Sequence, residues 1–364
     1  MNYKNKNYGK VVTTVFVALL LSAIALPVCD AREITVLHIG YLPCMHQIAE
    51  MMAMEKGWWR EELSAFGIEN VTDTAFSSGQ SEMSAMMAGE LDIAYVGTAP
   101  PITAIDRGLD AKIVAGVQNN GSDLILLPEL AAAYTSPEDL RGLKIATLPH
   151  GSIQHTVIMK WLRDSGLNDE DVEIVEMDPR DALSAIGERE IEGAFLPAPS
   201  LTVLELERER KVERILHSGE LWPNHACCCL LVRGELIREH PKLVEQIIRI
   251  HINATDYVNE HPDEAAELYA TLKGDALESV KASFEQCDAA WIHDPHRQIQ
   301  YGIAYAQVNY ERGLTDKLLT EDDLYDTRFY DDVMMVGPPT PGFEALFAIT
   351  AVLSVAYLMR RRRN

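Results

Sequence analysis

The sequence predicts an α/β protein built from two lobes of related design that face one another across a cleft. Three observations carry that expectation. Short apolar runs of strand length alternate with helix patterns along the body of the chain. The run Glu90–Val96 (ELDIAYV) returns as Glu190–Leu196 (EIEGAFL), 100 residues on, and small residues and prolines follow each copy. Upstream of each copy, in the same order, Leu37–Pro43 (LHIGYLP) is similar to Leu143–Pro149 (LKIATLP). Two copies of one strand-and-loop unit give two sets of strand-end loops, and in α/β sheets that edge is where small ligands sit.

Taken in order, the chain opens with Lys4, Lys6 and Lys10, an uncharged stretch Val11–Leu26 and a break at Pro27. This is the pattern of a secretory signal peptide cleaved near Ala31. Ile34–Tyr41 reads as a strand and Gln47–Lys56 as a helix closed by Gly57. The stretch Thr74–Pro101 reads as loop, helix, strand, loop. Ser77–Gln80 caps a Met- and Ala-rich helix closed by Gly89, Leu91–Val96 is a strand, and Gly97–Pro101 breaks it. Lys112–Gln118 and Leu124–Leu127 are strands around the turn Asn119–Ser122, and the stretches near Val114–Leu127 and Cys227–Val232 are expected to cross between the lobes. Leu143–Leu148 is a strand, and His150-Gly151-Ser152 caps the helix Ile153–Ser165. A strand over Val172–Val175 and a helix over Pro179–Glu188 follow. Late helices over 243–259, 262–272, 275–285 and 296–312 are expected to return to the first lobe.

At 364 residues the chain can hold two cores. Its formal charge of −23 argues against nucleic acid and anionic membrane surfaces as partners. Beyond the signal peptide it keeps Cys44, Cys227, Cys228, Cys229 and Cys287, without metal-type CxxC spacing. CCCLLV over Cys227–Val232 reads as a fully buried strand of inert thiols. No cofactor or metal motif, nucleophile elbow or phosphate loop is present, so no enzyme is expected from motifs. His293-Asp294-Pro295-His296 reads as a helix-start loop rather than a metal site. The sequons at Asn70, Asn120 and Asn253 are glycosylation candidates, Asn70 the best of them, since a glycan at Asn120, near the predicted cleft, would conflict with lobe closure.

At the C-terminus, Pro341-Gly342-Phe343 precedes the uncharged run Ala345–Met359 and the cluster Arg360–Arg363. Fifteen such residues fall short of the roughly 20 needed to span a bilayer comfortably. The order resembles the archaeal PGF C-terminal sorting signal, which implies an anchored chain whose body lies outside the cell.

The mature chain resembles the solute-binding proteins of ABC importers for nitrate, sulfonates, taurine, bicarbonate and thiamine precursors. The matching pieces are HIGYLPCMHQIAEMMAMEKGWW, GELDIAYVGTAPP, AKIVAGVQNNGSDLIL, LRGLKIATLPHGSIQHTVIMKWLRDSGL and PKLVEQIIRIHINATDYVNEHPDEAA. The resemblance implies the two-lobed Venus-flytrap fold of type 2 periplasmic binding proteins, with mostly parallel sheets flanked by helices. It also implies a monomeric receptor that closes on a small solute and passes it to a membrane permease. The expected divisions are 1–31 signal peptide, 32–125 first lobe, 126–229 second lobe, 230–335 helical return, and 336–364 linker, sorting signal and tail. Ligand contacts are expected from His46, from Ser78, Gly79 and Gln80, and from Gly97, Thr98 and Ala99. The second lobe is expected to add Gly151, Ser152, Ile153 and Gln154, whose backbone N–H groups open a helix and suit an anion. Relatives with charged ligands often place an Arg, or a Trp–acid pair, where this chain has Leu196-Pro197-Ala198-Pro199, which leaves room for a neutral or zwitterionic solute. The alternative is an enzyme. Cys227-Cys228-Cys229 resembles part of the CCCFC run of the fungal thiamine-pyrimidine synthases, but Leu230-Leu231 replaces its end.

Overall fold

The computed structural model describes residues 34–197 and 211–336. The expected signal peptide, the sorting signal with its tail, and Ala198–Pro199 lie outside the described residues. Among the described residues no helix is long and apolar enough to cross a membrane.

Eleven strands form two sheets among these residues: β1 (Val36–Tyr41), β2 (Asn70–Ala75), β3 (Ile93–Gly97), β4 (Ala111–Asn119), β5 (Ser122–Leu126), β6 (Lys144–Thr147), β7 (Glu173–Glu176), β8 (Gly193–Pro197), β9 (Glu213–His217), β10 (Ala226–Arg233) and β11 (Ala290–Trp291). The first sheet runs β11-β4-β10-β3-β1-β2 and the second β7-β6-β8-β5-β9. The sequence repeat has a topological meaning. β1 lies between parallel β2 and β3, as β6 lies between parallel β7 and β8. β3 and β8 then each pair with an antiparallel strand, β10 and β5 respectively. Among the eleven strands, parallel pairing is thus confined to these two triplets. The strands beside the crossovers run antiparallel because the chain re-enters each sheet from the other lobe.

The sheets divide at Asn120-Gly121, since β5 already pairs with β8 from Ser122, ahead of the boundary expected at 125. The return likewise begins with β10 at Ala226 rather than after 229, because the whole strand pairs with β3 and β4. Asp288 ties both crossovers. Its Oδ1 accepts from the Gly121 N–H at 2.8 Å and its Oδ2 from the Gly219 N–H at 2.6 Å.

One local expectation changes, and one strand goes unannounced by the sequence. Beyond Gly97, which ends β3, Thr98–Pro101 is a helix start, not a loop: Ala99–Asp106 is helical with prolines in its first turn, where a missing N–H costs nothing. Residues 70–75 form an edge strand although Val71 alone is buried there, so neither an apolar run nor a clean alternation announces it. Asn120 is buried at the crossover with φ 57°, which keeps a glycan from that site, whereas Asn70 is exposed.

The first lobe's core packs helices on its sheet. The helix Pro241–Glu260 buries Leu243, Val244, Ile247, Ile248, Ile250, Ala254 and Val258, a stripe with helical period, against the helix Ile48–Glu55. The second lobe has its own cluster of Ile125, Ala146, Ala182, Ile186, Ile191, Ala194 and Leu196.

Candidate ligand-binding cleft

A cavity of about 520 Å³ lies between the strand ends of the two sheets. After β1 the chain turns through Leu42-Pro43-Cys44 into a short 3-10 turn, Met45–Gln47, which presents His46 and Gln47 to the cavity. The Gln47 Oε1 accepts from the Leu42 N–H at 2.6 Å and holds this turn against the strand end. Ser78 caps the helix Gly79–Met87 by accepting the Ser81 N–H at 3.3 Å. Gly79 lies so near the helix Ala99–Asp106 that a Cβ there would stand 2.6 Å from Pro100 Cγ. From the second lobe, Ser152 caps the helix Ile153–Asp164 by accepting the His155 N–H at 3.2 Å. The Gln154 amide donates to Ser122 Oγ at 3.0 Å.

Of the residues expected from the sequence, His46, Ser78, Gly79, Gln80, Gly97, Ser152, Ile153 and Gln154 line this cavity. Thr98, Ala99 and Gly151 do not. Thr98 and Ala99 are fully buried at the start of their helix, and the Thr98 N–H donates to Cys227 O at 2.9 Å. Gly151 sits in the turn behind Ser152.

Gln80 also joins the lobes directly: its Nε2 donates to His150 O at 2.8 Å. Removing this bond in Gln80→Ala is expected to favour the open form. Solute affinity should fall by about fivefold, the worth of one neutral hydrogen bond of about 1 kcal/mol, with the melting temperature of the ligand-free protein unchanged. Calorimetric titration and melting curves check it, and unaltered affinity would leave the bond without a role in closure.

The walls are mostly apolar, with Leu42, Pro43, Phe76, Pro100, Leu148, Pro149, Pro197 and Tyr269. Two cations escape a reading centred on the second repeat. Arg180, exposed, comes from the first turn of the helix Pro179–Gly187, and Lys273, half-buried, ends the helix Pro262–Lys273. Asp178, Asp181 and Asp275 stand with them. The missing arginine at 196–199 therefore does not make the cleft cation-free. Pro179-Arg180 follows β7 as Ser152-Ile153 follows β6, a parallel that could have marked Arg180. No local signal marks Lys273.

At the buried end of the cavity lie His46, Cys227 and Cys228. The His46 ring has its Nε2 2.7 Å from Gly121 O, so Nε2 carries the donated proton and Nδ1 faces Cys227 Sγ at 3.3 Å. The two sulfurs are 3.7 Å apart, and the Gln47 amide approaches Cys228 Sγ at 3.8 Å. Hydrogen bonding with Cys227 holds the Cys228 thiol below the ordinary range against the opposing effect of burial, with His46 and Gln47 adding to it. Cys227 moves up in turn, through the same bond and its burial. Burial, and next the charge of Cys228, pushes Cys44 up to about 12. The expectation of a buried strand holds, since every residue of β10 up to Val232 is buried, but it hides that two of the thiols reach the cleft.

The NMT1-like family matches residues 30–273, two thirds of the chain. The chain belongs to the NMT1-like family. Residues 340–362 match the PGF-CTERM motif, a C-terminal sorting and anchoring signal that puts the body of this NMT1-like protein on the outer face of the cell membrane. A Bacillus subtilis protein assigned to aliphatic-sulfonate binding is 29% identical over 67% of this chain and 71% of its own length. The taurine-binding periplasmic protein of Escherichia coli is 26% identical over 52% of this chain and 57% of its own length. In fold, the periplasmic aliphatic sulphonate binding protein SsuA of Escherichia coli superposes with a TM-score of 0.69 at 17% identity, covering 80% of this chain and 92% of that one. The fold is therefore that of the two-lobed periplasmic binding proteins.

Proposed function

We propose that this protein is the extracellular solute receptor of an ABC importer and that its solute is a small organic anion, an apolar body carrying a sulfonate-like head. The observation that carries this is the cleft itself, a half-open space between two lobes with apolar walls and two cationic side chains, Arg180 and Lys273, beside Asp178, Asp181 and Asp275. Apolar walls would take the body of the solute, while the cations and the N–H groups opening the helix at Ile153 would take the head. Closure of the lobes, fastened by Gln80, would desolvate these contacts and present one closed shape to the permease. The sulfonate- and taurine-binding relatives support the solute class, and the anchoring signal keeps the receptor near its permease.

The purified full-length chain tests this by thermal shift against alkanesulfonates, taurine, nitrate, bicarbonate, aromatic carboxylates and thiamine pyrimidines. Alkanesulfonates are expected to raise the melting temperature with dose, by the equivalent of about 2.7 kcal/mol at a hundredfold excess over Kd. Nitrate, which leaves the apolar walls unfilled, should do far less. Arg180→Ala and Lys273→Ala should each weaken the effect, and Ser152→Asp should weaken it by repelling the anion while preserving the helix cap. Shifts by thiamine pyrimidines alone would overturn the sulfonate reading.

The enzymatic reading has one observation in its favour, the cysteine–histidine cluster in the cleft. It has one against it in this chain: Cys229 lines no part of the cavity.

A further inference from the structure

We propose that His46, Cys227 and Cys228 form a binding site for a thiophilic divalent cation such as Zn²⁺, with its open coordination position facing the cleft.

The ligand atoms are already gathered. One nitrogen of His46 and the two sulfurs lie within 4.8 Å of one another, and all three residues are buried. Two of the three spacings match a tetrahedral centre, and the third, from Cys228 Sγ to His46, lies within 4.8 Å. With zinc–sulfur bonds of about 2.3 Å, two thiolates of a tetrahedron stand about 3.8 Å apart, and a thiolate and an imidazole nitrogen about 3.5 Å. The observed separations are 3.7 Å for the sulfurs and 3.3 Å from Cys227 Sγ to His46 Nδ1.

Consecutive strand residues ordinarily point to opposite faces, which would send one cysteine away from the other. Here the register of β10 against β4 shifts between Ala226 and Cys228 and again between Cys228 and Cys229. Such a bulge re-aims a side chain, and it brings Cys227 and Cys228 to one cavity. The second shell is in place too. A metal-bound histidine commonly donates its other ring N–H to a backbone carbonyl, and His46 does so to Gly121 O, which leaves Nδ1 as the free donor atom. Two thiolates neutralise a divalent cation, so the filled site adds no net charge to a buried position. Two sulfurs and one nitrogen favour zinc-like cations over magnesium or calcium. The fourth position opens to the solute cavity, as in metal sites that exchange a ligand.

The test uses the full-length chain reduced with a phosphine and titrated with Co²⁺ as a coloured stand-in for Zn²⁺. One equivalent is expected to bind with thiolate-to-cobalt charge-transfer absorption and tetrahedral d–d bands, and Zn²⁺ should bleach both. Cys228→Ser should remove about half of the charge-transfer intensity, and His46→Gln should weaken binding by about tenfold or more. Cys229→Ser, one residue along the same strand, should leave the spectrum alone. A wild-type spectrum without charge transfer, or one that survives loss of both Cys227 and Cys228, would overturn the site. Because a variant could fail to fold, the unmutated chain gives a second readout: bound Zn²⁺ should shield Cys227 and Cys228 from alkylation, mapped by peptide mass, and leave half-buried Cys287 reactive. Labelling of Cys227 and Cys228 that proceeds without Zn²⁺ and is unchanged by it would also overturn the site. Neither readout involves the solute, so the outcome is separate from that of the receptor reading.

Discussion

Gly121→Ala is expected to destabilise the protein by about 2–4 kcal/mol, the combined cost of a strained left-handed backbone and displaced buried hydrogen bonds. Gly121 occupies the first crossover with φ +87°, a region that L side chains rarely adopt. A Cβ there would collide with Gln118 Nε2 and stand 3.0 Å from His46 Nε2 and 3.1 Å from Ala289 Cβ. Gln118 cannot yield cheaply, because its amide donates to Asn119 O at 2.7 Å and to Asn120 O at 2.9 Å inside the crossover. Moving His46 would break its bond to Gly121 O and disturb the pair it makes with Cys227. Gly142→Ala provides the comparison. It has φ +77° with nothing within 4 Å of the added methyl, so it carries the backbone strain alone, about 1 kcal/mol. Denaturant midpoints of both variants check the difference. Equal losses would mean that the packing around Gly121 yields freely.

Glu82→Gln is expected to remove about 1.4 kcal/mol per pH unit from the loss of stability on the alkaline side, the worth of one proton in linkage. Glu50 and Glu82 are fully buried, and neither carboxylate oxygen of either residue has a hydrogen-bond partner. Burial pushes both well above the usual carboxylate range, with Asp73 adding to the effect on Glu50, and Cys228 and then Glu50 adding to it on Glu82. Gly40 makes the space: a Cβ there would stand 2.9 Å from Glu82 Oε1. The sign follows from which state holds the protons. From the unfolded carboxyl range upward, the unfolded chain ionises at these positions while the folded chain stays protonated. Stability from them is complete at acid pH and falls as pH rises toward the folded values. Glu50→Gln should act in the same direction, and the double variant should flatten the slope further. Stability curves at several pH values read this directly, and a slope unchanged by either substitution would mean that the carboxyls ionise in the folded state.

The sequence by itself determined the α/β class, the two-fold repeat, most helices with their caps, and several of the strand-end loops that line the cleft. These rest on local physics: apolar runs set strands, Ser78 and Ser152 satisfy free helix N–H groups, and the copies Glu90–Val96 and Glu190–Leu196 fall on equivalent strands β3 and β8. The extent of the cleft was decided only by tertiary structure. Thr98 and Ala99 leave the expected set because a Pro-containing segment folds as a helix start that buries them, which turn vocabulary cannot distinguish from a loop. Arg180 and Lys273 enter it from helices that reach the cleft only once both lobes are assembled. The cysteines show the limit most directly. An apolar run tells that β10 is buried, but the shift in its register against β4, which turns two adjacent thiols toward His46, arises from pairing with a strand more than a hundred residues earlier. Pairing across such a separation leaves no mark on the local pattern, and only the folded chain brings those three side chains together.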